Sequence, residues 1–446
     1  MDSTVDNMSA IKDKILELVS EYVEEQRQLK TWTPGKDWVQ YAGPYFNDYE
    51  YVSSIETILD GWLVLGKKGI QFEKEFPRLL GKTHGVLTNS GSSSNLIMMS
   101  ALKSKRLYNL PEGTRVITPI AGFPTTVNPI LQCGFVPCFT DIELDTLNLN
   151  LDQVEDWARK GVKVITFAHV LGNPPNMTRL MEIVKQYDLI LLEDCCDALG
   201  SSYAGRPLGS FGTFASSSFY PAHHITMGEG GFVACNDEKH EIVARSFREW
   251  GRGCYCVGLK ANLLKNGSCG NRFSNWLPSL PNEVFDHKYV YDEIGYNLKP
   301  IEVQAAMGLA QIEKLPEIAR LRKKNHKRLK SIFKQYEEFF YLPQRTFDSD
   351  PSWFAFALTI KDGAPFKRSD IVNHLESHKI QTRPYFAGNI MLQPAYEGIM
   401  PQKTVLEQFP VSRKVTTDTF FLGTSPVIKD EHLNYIEEVV NSFFKP

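Results

Sequence analysis

From about residue 75 to 240, short apolar runs rich in β-branched residues alternate with helical or loop patterns. "RVITPI" (115–120), "FVPCFTDI" (135–142), "VKVITFAHV" (162–170) and "LILLED" (189–194) are nearly continuous apolar runs, as strands covered on both faces should be. This alternation predicts an α/β domain: a mostly parallel sheet with helices on both faces and functional residues at the carboxyl ends of its strands. Residues 1–30 carry helical periodicity and many charges, and "TWTPGKDWVQYAGPYFNDYEY" (31–51) is rich in Pro, Gly and aromatics and reads as irregular. The segment 254–276 has neither period and reads as a loop. Residues 299–336 are strongly helical and lead to a strand at "WFAFALTI" (353–360), a helix near 368–379 and a terminal amphipathic helix near 430–444. The expected organisation is an N-terminal helical arm (1–40), a large domain (41–320) and a smaller C-terminal α+β domain (321–446).

Composition narrows the class. The 446 residues are 42% hydrophobic and 23% charged, with a formal net charge of −3. No Lys/Arg-rich run is present to track phosphates, so nucleic acid is not an expected partner. No stretch approaches the length of apolar run that spans a membrane, and the first residues hold no apolar signal core. A cytoplasmic protein is expected. Eight cysteines in a chain of this length do not make a secreted disulfide scaffold. Most read as buried thiols, but the Cys254-Tyr255-Cys256 pair stands out.

Two motifs carry chemistry. "NSGSSSNL" (89–96) places Gly91 and small hydroxyl residues before a helical pattern, where backbone N–H groups bind phosphate well. An ordinary N-cap reads the same way. "LILLEDCCDALG" (189–200) ends a buried strand in carboxylates, with Asp194 placed either to face a cofactor or to accept N–H bonds within the turn.

The stretch "EDCCDALGSSYAGRPLGSFGTFASSSFYPAHHITMGEGG" (193–231) resembles the signature region of the fold-type I, pyridoxal-phosphate-dependent sugar aminotransferase and dehydratase family. The likeness runs from about residue 38 to the C-terminus, through "GPYF", "FEKEF", "NSGSSS", "AGFPTTVNPI", "GEGG" and "GYNLKPIEVQAA" in that order. It implies an aspartate-aminotransferase-like large domain. It also implies that Asp194 pairs with the cofactor's pyridine nitrogen, that Phe123 stacks on the ring, and that Gly91, Ser92 and Ser218 hold the phosphate. Asn297 would reach in from a neighbouring subunit, which implies a homodimer with composite sites. Asp197 stands near the ring hydroxyl, where relatives usually have Gln.

In the family's aminotransferases a lysine five residues before the Gly-Glu-Gly-Gly turn forms the covalent link to the cofactor aldehyde. In this chain that position is His223, and no lysine occurs between Lys185 and Lys239. An imidazole cannot make the link but exchanges protons readily. The resemblance then implies a non-covalently held pyridoxamine phosphate, with His223 removing a proton so that a β-hydroxyl leaves, at C3 in a 4-keto-6-deoxy sugar. His224 reads as a neighbour without a catalytic task.

Two branches of the family carry out such a dehydration. A colitose-type branch, acting on GDP-4-keto-6-deoxymannose, takes its amino group from glutamate and uses no redox centre. A second branch, resembling the CDP-4-keto-6-deoxyglucose 3-dehydrases of lipopolysaccharide O-antigen synthesis, carries a [2Fe–2S] cluster on four cysteines. It draws electrons from an NADH-dependent flavin/iron–sulfur reductase.

The cysteine spacing resembles the second: Cys196 and Cys254 enclose 57 residues, Cys256 follows, and Cys269 closes the set after a longer interval than the branch pattern has. Cys196 lies two residues beyond Asp194, about 7 Å along an extended backbone, so a cluster there would sit beside the ring. A four-cysteine zinc site or unligated thiols remain alternatives. The expected activity is thus C3 dehydration of a nucleotide-linked 4-keto-6-deoxyhexose, with CDP implied only by the resemblance. A plain aminotransferase, which the missing lysine opposes, and a silent scaffold are the rivals. Arg383 and the "GPYF" aromatics (43–46) read equally as sugar or diphosphate contacts and as domain packing.

Overall fold

The computed structural model describes residues 2–254 and 270–445. Seven strands form the central sheet: β1 (His84–Thr88), β2 (Arg115–Pro119), β3 (Val136–Thr140), β4 (Val164–Ala168), β5 (Ile190–Asp194), β6 (Phe214–Ser218) and β7 (Gly231–Cys235). Their spatial order is β1-β7-β6-β5-β4-β2-β3. From β3 to β6 all neighbours are parallel, and β7 runs antiparallel to both β6 and β1. The four strands expected from apolar runs are all present.

Strand periodicity explains the two cores. Leu87, Ile117, Ile165, Leu191 and Ala215 pack to one side with the helices Lys67–Glu75, Leu151–Arg159 and Met177–Tyr187. Their chain neighbours Val86, Val116, Val164, Leu192 and Phe214 pack to the other with Gly91–Ala101 and Glu238–Arg248. Successive side chains on a strand point to opposite faces, so a run apolar at every position is what a sheet covered twice requires.

The 33-residue helix Glu302–Lys334 passes from the first core into a further one. There the strands β8 (Phe340–Tyr341), β9 (Ala355–Ile360), β10 (Arg383–Pro384) and β11 (Thr419–Gly423) form an antiparallel sheet in the order β8-β9-β11-β10. The helices Arg368–Ser377 and Asp430–Phe444 cover it.

Two segments differ from the sequence reading. Residues 31–51 are not irregular throughout: the Asn47 side chain accepts from Tyr49 N–H and Glu50 accepts from Asn47 N–H, which starts the helix Asp48–Leu59. Within the expected loop 254–276, Phe273–Ser274 pairs as a short strand with Phe285–Asp286. Residues 255–269 lie outside the described residues.

Candidate active site

A cavity of about 610 Å³ lies at the carboxyl edge of the sheet. Pro119, Ala168, Asp194 and Ser218, the last residues of β2, β4, β5 and β6, all line it. Parallel strands present their ends there because each connection leaves on the same side. The facing wall comes from the C-terminal part of the chain, with Phe354, Arg383, Phe386 and Phe421.

One end of the cavity is a cradle of backbone. The helix Gly91–Ala101 begins there, and its N-cap Ser90 accepts from Ser93 N–H at 3.1 Å. The N-cap is therefore real, and it leaves the N–H groups of Gly91 and Ser92 without an intrahelical acceptor, next to the helix's positive end. Space is tight. A Cβ on Gly91 would stand 2.4 Å from Ser218 Cβ, and one on Gly231 would stand 2.2 Å from the Ser90 carbonyl oxygen. Only glycine lets β7 and the helix start approach so closely.

Asp194 is held on all sides. Its Oδ2 accepts from Asn95 Nδ2 and Thr126 Oγ1, each at 2.8 Å. Its Oδ1 accepts from Cys196 N–H at 3.1 Å, and Ser216 Oγ, which donates to Asn95 Oδ1 at 2.6 Å, lies 3.4 Å from it. The carboxylate thus accepts a turn N–H and also faces the cavity. Asn95, Thr126 and Ser216 were not singled out from the sequence, although simple signals were there. Ser216 and Ser218 share a face of β6, Asn95 is one turn along from Gly91, and Thr126 lies in the first turn after Phe123.

His223 lies in the turn after β6, with its Nδ1 3.4 Å from Asp197 Oδ1 and only 16% of its side chain exposed. The pair is within electrostatic reach but lacks hydrogen-bond geometry, and Nδ1 has no partner. His224 points the other way: it is buried, donates from Nε2 to the Ser352 carbonyl at 2.7 Å, and has its pKa driven well down by burial and Arg322. Phe123 lines the mouth of the cavity and is 52% exposed.

Cys196 also lines the cavity. Burial and then the adjacent Asp194 carboxylate push its thiol well above the ordinary thiol range. The structure therefore gathers Gly91, Ser92, Phe123, Asp194, Cys196, Asp197, Ser218 and His223 around one space. Asn297 is exposed and does not line its own chain's cavity, and neither does Cys254. Cys256 and Cys269 lie outside the described residues. Among the described residues one buried trio, His169, Glu193 and Cys195, brings three ligand atoms together. There the Glu193 carboxylate is already taken by His169 and the N–H groups of Gly209, Phe211 and Gly212.

The sheet order and this cavity define a fold-type I, aspartate-aminotransferase-like protein. The chain belongs to the DegT/DnrJ/EryC1/StrS aminotransferase family, whose model matches residues 47–441. It is 40% identical over 436 residues to the lipopolysaccharide biosynthesis protein RfbH of Salmonella typhimurium, covering 97% of this chain and 98% of that one. It is 39% identical to the dTDP-4-dehydro-2,6-dideoxy-D-glucose 3-dehydratase of Saccharopolyspora spinosa, covering 97% of this chain and 92% of that one. Among solved structures it is similar to the E. coli GDP-4-keto-6-deoxy-D-mannose-3-dehydratase with bound hydrated pyridoxal phosphate. That likeness has a TM-score of 0.76 at 27% identity, and covers 90% of this chain and 99% of that chain. No helix among the described residues is long and apolar enough to cross a membrane.

Proposed function

We propose that the protein is a pyridoxamine-phosphate-dependent 3-dehydratase of a nucleotide-linked 4-keto-6-deoxyhexose, with His223 moving the proton. One observation carries this reading: the described lining of the cavity contains His223 and no lysine. A group able to exchange a proton but not to tether the cofactor therefore faces the site. The names of the relatives support it, since two of them are sugar 3-dehydratases.

The residues present fit the cofactor, because the tight Gly91–Ser218 cradle suits a phosphate and leaves no room for a side chain. Gly91 and Ser92 N–H groups and the Ser218 hydroxyl would hold it there. Asp194, kept in place by its three donors, would accept from a protonated ring nitrogen. Phe123 would cover one ring face. When bound, pyridoxamine phosphate supplies an amino group to condense with the substrate ketone and a ring to accept electrons. His223 would take and return protons, with the Asp197 carboxylate 3.4 Å from its Nδ1. The aromatic wall of Phe354, Phe386 and Phe421 keeps bulk water from that exchange.

Asn297 would complete the site of a second copy, which accords with its exposure and with the exposed apolar residues Trp62, Val64, Ile294 and Ile301. Reaching a 3,6-dideoxy ketosugar also needs two electrons and two protons. Cys196, Cys254, Cys256 and Cys269 would hold a [2Fe–2S] cluster able to supply the electrons one at a time from an NADH-dependent flavin/iron–sulfur reductase, and CDP would be the carrier. What supports this is the Cys196 thiol on the cavity wall beside Asp194, together with the spacing of the four cysteines along the chain. The second reading is a cluster-free enzyme using glutamate, favoured by the close structural match to the GDP-linked dehydratase.

The test is an NMR assay of C3 deoxygenation with CDP-, dTDP- and GDP-linked 4-keto-6-deoxyhexoses. The His223→Asn variant should bind cofactor as before and lose about 10²- to 10⁴-fold in dehydration. Dehydration that survives the substitution removes the proposed role.

A further inference from the structure

We propose that Arg322 is a positioning residue for His223, setting where the imidazole stands through the main chain of the turn that carries it. The inference rests on the role of His223 proposed above.

Arg322 is 1% exposed, on a helix face where Ile318 and Leu329 are fully buried apolar side chains. An apolar residue would fill that place at less cost, since a buried cation is expensive unless its donors are met. No carboxylate among the described residues lies within ion-pair distance of it, although the charge of Asp197 reaches it. Its two terminal nitrogens are met by backbone carbonyls, while the buried Nε has no partner: Nη2 donates to Ala222 at 3.2 Å and His223 at 3.0 Å, and Nη1 donates to Phe354 at 3.1 Å and Trp353 at 3.4 Å.

The rigid fork therefore ties two chain segments together. One is the His223 turn. The other carries Phe354, whose ring packs against the His223 imidazole with centroids 5.4 Å apart. Arg322 thus acts on His223 twice, by holding its carbonyl and by holding the ring beside it. Around His223 stand Asp197 at 3.4 Å, the buried neutral His224 and this guanidinium. Burial lowers the Arg322 pKa to about 10, which leaves it cationic at neutral pH.

The experiment reads the position of residue 223 without the dehydration reaction. In the full-length His223→Lys protein, pyridoxal phosphate and borohydride should fix label on the new amine. Adding Arg322→Met should slow labelling by about 10- to 100-fold, the usual effect of a misplacement near 1 Å, while cofactor affinity is unchanged. Arg322→Lys, which keeps the charge but donates from one nitrogen, should fall between the two. In the His223 protein the same substitutions should lower kcat with KM held.

Labelling of the Arg322→Met protein at the unmodified rate overturns the inference. If that variant does not fold, an Arg322→Lys protein labelled as fast as its parent overturns it equally. A His223→Lys protein that takes no label removes the reading of residue 223 itself, and the inference falls with it.

Discussion

The Nδ1 atom of His223 stands 3.4 Å from Oδ1 of Asp197, the two residues arriving from the turns that follow β6 and β5. The buried Nδ1 has no hydrogen-bond partner, so the imidazole meets the carboxylate only through this contact.

Asp197→Asn keeps the shape of that contact and removes its charge. A loss of about 10- to 100-fold in kcat, with little change in KM, is the expected outcome in steady-state kinetics. Unchanged kcat would show that the charge does no work.

The Gly91 cradle sets the second expectation. Gly91→Ala drives a methyl to 2.4 Å from Ser218 Cβ, so the helix start must retreat from the phosphate position. Affinity for pyridoxamine phosphate, followed by fluorescence titration, should weaken about tenfold or more, equal to about 1.4 kcal/mol.

Stability should fall on acidification for a specific reason. His326 is buried against Trp353, with ring centroids 3.9 Å apart, and burial pulls its pKa down to about 3. The unfolded chain binds that proton below about pH 6.5 and the folded one does not, so the neutral imidazole's stabilisation is full above pH 6.5 and is lost as pH falls toward 3. His326 should contribute about 1.4 kcal/mol per pH unit across that window, and buried His224 adds to the same slope. His326→Phe should flatten the dependence of urea midpoints on pH by about one proton.

The two routes to the final ketosugar separate on one preparation. Protein purified without oxygen should hold about two iron and two sulfide per chain and absorb in the visible, and Cys196→Ser should lose both. A colourless, iron-free protein that turns over with glutamate alone would place the chain with the cluster-free reading.

Most strand and helix positions were legible in the chain's own pattern, because burial on two faces demands continuous apolar runs and burial on one stripe demands helical spacing. β6 was not. The β6 sequence "FASSS" has three serines in five residues, yet every residue is buried, and Ser216 and Ser218 face polar partners at the cavity end. Tertiary surroundings overrode the propensity.

The site divides in the same way. Local sequence was enough to place Gly91 at a helix start, Asp194 at a strand end and His223 before the glycine turn. Its motifs also carried the family likeness. What the sequence could not determine was the set of partners. Asn95 meets Asp194 from 99 residues away and Thr126 from 68, and Arg322 reaches the His223 carbonyl across 99. Such contacts depend on how sheet, helix and C-terminal part pack, and pattern along a chain records which face is buried but not which distant atom it is buried against.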